Sequence, residues 1–301
     1  MKIIICIKQV LDTRVPLVVN SSVMQKEPSP VYIMNPADCV ALAKALEMKV
    51  SLAGGEITVI TAGPARAEQV LRMALASGAD EAIHLKDEVF EVSDAYTTAL
   101  ALSKVVKELG YTMILCGNRS LDIGAGQVPA FLAQLLGIPQ VTGVMGLEIM
   151  SQGRVRLWRR LERGRRQVIE CPLPALCAVD SSAGQPRYVS EFALKQTVER
   201  GILTLMLADI GLTQTDVGPQ SSLIRVVSLS PPKPRPKKIY IPDGSMSASQ
   251  RMSYLLSSGL AKGKESNLLE GTADYLAKQV IEYLVKEGIL PKQLAPLEPD
   301  G

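Results

Sequence analysis

Through the first half of the chain, short β-branched apolar runs alternate with longer stretches whose apolar residues recur at helical spacing. Lys2–Ile7 is an unbroken apolar run, the pattern of a strand buried on both faces. Asn35-Pro36-Ala37-Asp38 then opens a helix: Asn35 suits the cap, Pro36 the first turn and Asp38 the positive end of the helix dipole. Val40, Leu42, Ala43, Leu46 and Val50 follow on that helix, and Gly54-Gly55 ends it. Glu56–Thr61 reads as the next strand. Gly63-Pro64 turns the chain into a helix carrying Val70, Leu71, Ala74 and Leu75, stopped by Gly78. Glu81–Leu85 and Tyr111–Cys116 are further strands, and Ser93–Leu109 and Gln127–Leu136 further helices, the last closed by Gly137. Strand–helix–strand alternation of this kind predicts an α/β fold: an open parallel sheet with helices on both faces.

After Pro139 the pattern changes. Val144–Met150, Arg154–Leu161 and Gln167–Ile169 predict antiparallel strands, with Arg163-Gly164 as a hairpin turn. Arg154, Arg156, Arg159, Arg160, Arg163, Arg165 and Arg166 crowd this stretch. Val155, Leu157 and Leu161 alternate with them, and only Trp158 offers an aromatic platform. The stretch therefore reads as a solvated hairpin rather than a nucleic-acid surface. Leu173–Val179 returns as a core strand. Residues 231–236, Pro-Pro-Lys-Pro-Arg-Pro, form a semi-rigid linker. Residues 243–264 are polar and loop-rich, and Gly271–Glu287 predicts an amphipathic helix with Ala273, Leu276, Val280 and Leu284 on one face. The expected organisation is an α/β domain over 1–200, with the hairpin at about 144–170, and an extension over 201–301.

Composition narrows the function classes. The 301 residues are 47% hydrophobic and 4% aromatic, so the core must be aliphatic. Charged residues make up 21% and the net charge is +3, which lacks a nucleic-acid footprint. No apolar run approaches the roughly 20 residues of a membrane helix, and the opening segment reads as a strand rather than a signal peptide. Five cysteines without a CxxC pair, and a single histidine, offer no metal-ligand set. They fit a reducing cytoplasm. His84, in a strand, reads as structural; Cys39 and Cys116 read as packing residues. Asp87, Glu88 and Glu91 read as a solvated loop.

In an open parallel sheet, ligands sit beyond the carboxyl ends of the strands. The stretches there are Cys6–Val10, Ala62–Pro64 and Gly117–Val128. The last reads Gly117-Asn118-Arg119-Ser120-Leu121-Asp122-Ile123-Gly124-Ala125-Gly126-Gln127-Val128. Gly124 and Gly126 allow close backbone approach, the following helix offers N–H groups to a phosphate, and Asp122 can accept from a ribose hydroxyl or an adenine amine. The pattern is neither GxGxxG nor a P-loop. Alone it reads equally as an ordinary strand-to-helix connection.

Three collinear stretches resemble the electron transfer flavoprotein β family. They are Ile7 to Asp12 with Asn35 to Asp38, Ala41 and Leu46; Ala62 to Ala65 with Leu71 to Asp80; and Asp122 to Val128 with Gly137 to Thr142. Leu173-Pro174-Ala175 and Pro186-Arg187-Tyr188 continue the likeness, which spans about residues 1–200. The resemblance implies an adenine nucleotide α-hydrolase-like fold and a heterodimer with a larger α subunit that holds the working FAD. It implies that this subunit binds AMP in one branch of the family and a second FAD in the electron-bifurcating branch. Carried over by position, the nucleotide contacts are Cys6, Asn35, Pro36, Ala37, Asp38, Ala62 and the stretch from Gly117 to Val128. Gly126, which leaves space, and Asp38 favour FAD. The chain departs from the family at Ile123-Gly124, where a carboxylate is usual, and at Gly184-Gln185. The segment after Tyr188 offers Phe192 and Leu194, beside Glu191, as a docking anchor. It lacks the family's Lys-rich run, so the implied partner is a flavin dehydrogenase other than a standard acyl-CoA dehydrogenase. The resemblance assigns no catalytic residue. Two other classes compete: a stand-alone ATP- or AMP-binding sensor module of similar fold, and an adenylate-transferring ligase. The ligase would need an SGGxDS-like loop, which the chain lacks.

Overall fold

The computed structural model describes residues 1–15, 18–20, 23–25, 30–224 and 271–286, with isolated positions 227, 247, 249 and 289. The Pro-rich stretch at 231–236 and the polar stretch at 243–264 lie outside the described residues, apart from positions 247 and 249. Two units are distinguished, Met1–Pro231 and Pro232–Gly301. The boundary expected at residue 200 falls inside the first unit.

That unit is built on one nine-stranded sheet. Its strands in chain order are β1 (Lys2–Cys6), β6 (Glu56–Gly63), β7 (Glu81–Lys86), β8 (Met113–Gly117), β9 (Gln140–Met150), β10 (Arg154–Arg160), β11 (Arg166–Pro172), β12 (Ala175–Val179) and β13 (Leu203–Leu205). Two short antiparallel pairs lie outside it: β2 (Gln9–Leu11) with β5 (Tyr32–Met34), and β3 (Val18–Asn20) with β4 (Val23–Gln25). The spatial order is β11-β10-β9-β12-β8-β1-β6-β7-β13. Strands β1, β6, β7, β8, β12 and β13 are parallel to their neighbours, and β12 also pairs with β9 in parallel. The expected parallel sheet is present, and so is the arginine-rich antiparallel hairpin. It extends the same sheet through antiparallel β9–β10–β11.

Helices α1 (Pro36–Ser51) and α2 (Glu68–Ser77) cover one face; α3 (Ala95–Leu109) and α4 (Val128–Leu136) cover the other. The sides follow from crossover handedness. The chain steps outward through β1, β6 and β7 with α1 and α2 on one face. It then returns past β1 to β8, and a right-handed return puts α3 on the opposite face. The reversal between β1 and β8 is the topological switch point of the sheet.

The central strands show why apolar runs replaced alternation. Ile3 and Ile5 bury into the first face and Ile4 into the second, each at most 1% exposed. Burying each such side chain contributes about 2–3 kcal/mol. In β10 the alternation holds, with Val155 and Leu157 buried between arginines. Arg156 is held between Glu148 and Glu170. Leu161 ends outside the strand and is exposed, as is Val50 at the last turn of α1. His84 is buried with Nε2 3.1 Å from the Gly63 carbonyl, and burial lowers its pKa, as suits a structural role. The acidic stretch after β7 keeps Glu88 and Glu91 exposed, as expected, with some of its carboxylates engaged. Asp87 accepts from Val89 N and Gln214 Nε2, and Glu91 pairs with Arg66.

In the second unit, α7 (Ala273–Lys286) is amphipathic, with Leu276 and Leu284 half-buried and Val280 exposed. α5 (Glu191–Gln196) and α6 (Gln214–Val217) complete the helices of the first. No helix among the described residues is long and apolar enough to cross a membrane.

Candidate nucleotide site at the switch point

The loop from Gly117 to Gln127 leaves β8 at the switch point and ends in α4. Its first half is clamped by the start of α1. Asp38, 4% exposed, accepts from Lys8 N at 2.7 Å and from Gly117 N at 2.8 Å, joining the carboxyl ends of β1 and β8. Burial raises its pKa to about 7, against the hydrogen bonds from Lys8, Asn35 and Gly117. Asn35 stands at the N-cap position of α1, yet its side chain makes no cap bond, contrary to the sequence expectation. It turns to the loop, donating to the Arg119 carbonyl (3.1 Å) and accepting from Leu121 N (3.1 Å). The cap competes with two loop backbone groups that have no other side-chain partner, and the loop wins.

Gly117 is required by this junction. A Cβ there would fall onto Asp38 Oδ1 and within 2.8 Å of the Ala37 Cβ and 3.0 Å of Asn35 Nδ2. Asn118 ties the loop outward, accepting from Gly143 N at 3.1 Å. Lys8 Nζ donates to Asp122 Oδ2 at 2.7 Å. Burial pushes the Asp122 pKa up, but the Lys8 ammonium and the bonds from Lys8, Ser120 and Ile123 outweigh it, so Asp122 sits below the usual carboxylate range. Gly126 has φ +62°, and a Cβ there would meet the Asn118 carbonyl at 2.8 Å. Its lack of a side chain is thus demanded by the loop's own backbone. Asp38 likewise is consumed in an internal clamp. Neither residue retains weight as a sign of FAD over AMP.

The structure brings most of the sequence-derived residues to one edge. Cys6 and Cys116 are in register on β1 and β8, buried toward α3 and α4, with Ala62 and Val128 half-buried against the same cluster. Hydrogen bonding to Cys6 and burial push the Cys116 thiol well up, and burial beside Asp38 pushes Cys39 to about 11. These thiols pack rather than react. Leu121 and Ile123 point outward, Ile123 being 76% exposed. A cavity of about 290 Å³ opens beside the loop, lined by Ala37, Asn118, Arg119, Asp180 and Ser181. Asp180 and Ser181 carried no sequence signal; only their place after β12 marks them. Lys8 lies in the Cys6–Val10 stretch that the sequence marks, but nothing there gave it a role of its own.

The second half of the loop has the donors a phosphate needs. The amides of Ala125, Gly126 and Gln127 have no internal acceptor among the described residues, and they lead directly into the N-terminus of α4. That donor set is of the kind that suits a phosphate.

The docking residues lie elsewhere. α5 is capped by Ser190, whose hydroxyl accepts from Ala193 N, and it packs on α2. Phe192 is 70% exposed, Leu194 is at the edge of exposure, and Tyr188 and Val198 are exposed beside them. Glu191 pairs with Lys195 at 2.9 Å. Arg72 binds the Thr197 carbonyl, and Arg200 those of Leu75 and Asp80.

Fold and loop together define a doubly wound α/β domain with a phosphate-competent loop at its switch point. Comparison with known proteins narrows this. The electron transfer flavoprotein domain family matches residues 26–201. An electron transfer flavoprotein subunit beta from Thermoanaerobacterium thermosaccharolyticum is 36% identical over 236 residues, covering 77% of this chain and 88% of the relative. The Bacillus subtilis subunit beta is 31% identical over 259 residues, 85% of this chain and 98% of its own length. A caffeyl-CoA reductase-Etf complex subunit CarD from Acetobacterium woodii is 35% identical over 235 residues, 77% and 88% respectively. The chain belongs to the electron transfer flavoprotein family, in its β-subunit branch, and its role is in electron transfer.

Proposed function

We propose that this chain pairs with a larger α subunit and passes electrons between a flavin dehydrogenase and an acceptor through FAD held with that subunit. It also holds an adenine nucleotide of its own, FAD or AMP, on the loop from Gly117 to Val128. The observation that carries the reading is the run of unpaired amides at Ala125–Gln127, poised at the α4 N-terminus over a rigidly clamped switch point. FAD, when bound, supplies the redox chemistry. This chain's residues position the nucleotide: Asn35 and Asp38 fix the loop, the free amides and helix dipole take the phosphate, and Cys6, Ala62 and Val128 border the base. The exposed Phe192 on α5 is the anchor for the redox partner. Because its only lysine, Lys195, is already paired, that partner is one that does not demand a basic run, unlike a standard acyl-CoA dehydrogenase. We place the apolar stripe of α7 against the α subunit.

Co-expression with the large subunit tests this. The expected product is a yellow heterodimer. Two FAD per heterodimer identify FAD in this subunit, and one FAD with one AMP identifies AMP. A colourless homodimer that retains ATP or AMP and never binds the large subunit would favour the sensor-module reading and sink this one.

A further inference from the structure

Lys8 belongs to none of the nucleotide contacts assigned above, yet the start of α1 and the loop after β8 meet on it. Its backbone N–H donates to Asp38 Oδ2 at 2.7 Å, its carbonyl accepts from Asn35 N at 2.9 Å, and its Nζ donates to Asp122 Oδ2 at 2.7 Å. The first two bonds fix its backbone to the start of α1. The third reaches 114 residues along the chain to the loop after β8.

The loop's other ties make that third bond decisive. Asn118 is held by Gly143 N, and Arg119 and Leu121 by Asn35. From Asp122 to Gln127, the remaining side-chain bonds stay within the loop: Ile123 N to Asp122 Oδ1 at 2.6 Å and Gly124 N to Ser120 Oγ at 3.3 Å. Among the described residues, Lys8–Asp122 is the only side-chain hydrogen bond that ties this stretch to the rest of the protein. The unpaired amides of Ala125, Gly126 and Gln127 hang between that tie and α4.

We infer that Lys8 is a positioning residue for the nucleotide: through Asp122 it holds the loop that carries the Ala125–Gln127 amides. The inference rests on the nucleotide reading proposed above. Lys8 is 45% exposed and Asp122 19%. An ion pair so placed adds little to global stability, so its effect falls on preorganising the loop for the ligand. A cation that instead bound the phosphate itself would be a different device, and the two separate experimentally. A preorganising tie acts only while Asp122 can receive it, so Asp122→Asn removes its effect; a direct phosphate ligand keeps its effect in that background.

The test uses the full-length chain freed of nucleotide, with AMP and adenosine as calorimetric probes and urea unfolding as the stability control. Lys8→Met is expected to weaken AMP by about fivefold to tenfold and to leave adenosine, which has no phosphate for those amides, within about twofold, with an unfolding midpoint close to wild type. Lys8→Arg, which keeps the ion pair, should recover most of the loss. In an Asp122→Asn background, Lys8→Met should cost less than about twofold, because the route through Asp122 is already cut. A fivefold to tenfold loss of AMP affinity on Lys8→Met that persists in the Asp122→Asn background overturns the inference and makes Lys8 a phosphate ligand. Unchanged binding of both probes overturns it outright. A wild-type chain that binds neither probe sinks the nucleotide reading and this inference with it.

Discussion

The loop after β8 and the helix α5 are two places where this chain is proposed to meet other molecules, and they are built in opposite ways. Around the loop, polar side chains turn inward. Asn35, Asp38 and Asn118 are spent on the loop's own backbone, and the ligand is left with main-chain amides. On α5 the polar groups satisfy one another, through Ser190 and the Glu191–Lys195 pair, and Phe192 faces solvent. A small polar ligand needs donors fixed in direction, and backbone amides held by buried side chains provide that. A protein partner needs apolar area with little lost side-chain entropy, and an aromatic ring on a capped helix provides that. The contrast predicts that mutations at the loop register mainly in stability and nucleotide retention. Mutations on α5 should register only in partner binding.

The largest expected effect is at Gly117. Alanine there would push into Asp38, Ala37 and Asn35 at once, and none of these is the free end of a flexible chain. Gly117→Ala should cost about 3–5 kcal/mol in urea unfolding, combining overpacking with loss of the Asp38 clamp, and should release bound nucleotide. A variant of wild-type stability would show that the clamp is softer than its distances imply.

Asp38 comes next. Asp38→Ala strands the amides of Lys8 and Gly117 and should cost about 2–4 kcal/mol. Its protonation gives a second readout. The folded pKa is raised to about 7 by burial, against about 3.9 unfolded, so the native state keeps a proton that the unfolded chain releases. This group's contribution is therefore most favourable below pH 4 and is lost as pH rises to 7. Subtracting the stability curve of Asp38→Asn from that of wild type should leave a decline across that window. A flat difference would mean the two N–H bonds hold the carboxylate ionised throughout.

Phe192→Ala should leave the unfolding midpoint within about 0.5 kcal/mol of wild type, because the ring is largely exposed. Its affinity for the redox partner should fall about tenfold. A loss of stability instead would mean the ring packs on its own chain, and the contrast between loop and helix would fail on this side.

Much of this was legible in the sequence where burial is uniform. The Lys2–Ile7 run announced a central strand because β1 is covered on both faces, and Gly78 and Gly137 marked helix ends at positive φ. The sequence misjudged elements whose cause is distant. β9 begins at Gln140, earlier than expected, because Gly143 and Gly146 look like loop residues. Gly143 instead has φ +64° in mid-strand, and Gly146 lies under the Trp158 ring. β13, three residues at the sheet edge, had no periodicity to show. At the site, the residue types at 35, 38 and 122 were visible, but their directions were not. Asn35 looked like a cap because residue type does not reveal which of two acceptor sets wins. Lys8 stood in a marked stretch, but its role was hidden because its partner lies 114 residues away.

The smallest effect separates charge from apolar area on α5. Glu191 and Lys195 are both largely exposed and sit one helical turn apart. Glu191→Gln should change stability by less than about 0.5 kcal/mol. It also frees the Lys195 ammonium and adds one net positive charge to the docking helix. If the partner is recognised through Phe192, the association rate at physiological salt should shift by less than about threefold, and raising the salt should erase the shift. A larger change than that of Phe192→Ala would mean the helix docks by charge. The apolar half of the contrast would then be wrong, and the absence of a Lys-rich run would matter more to partner choice than the ring does.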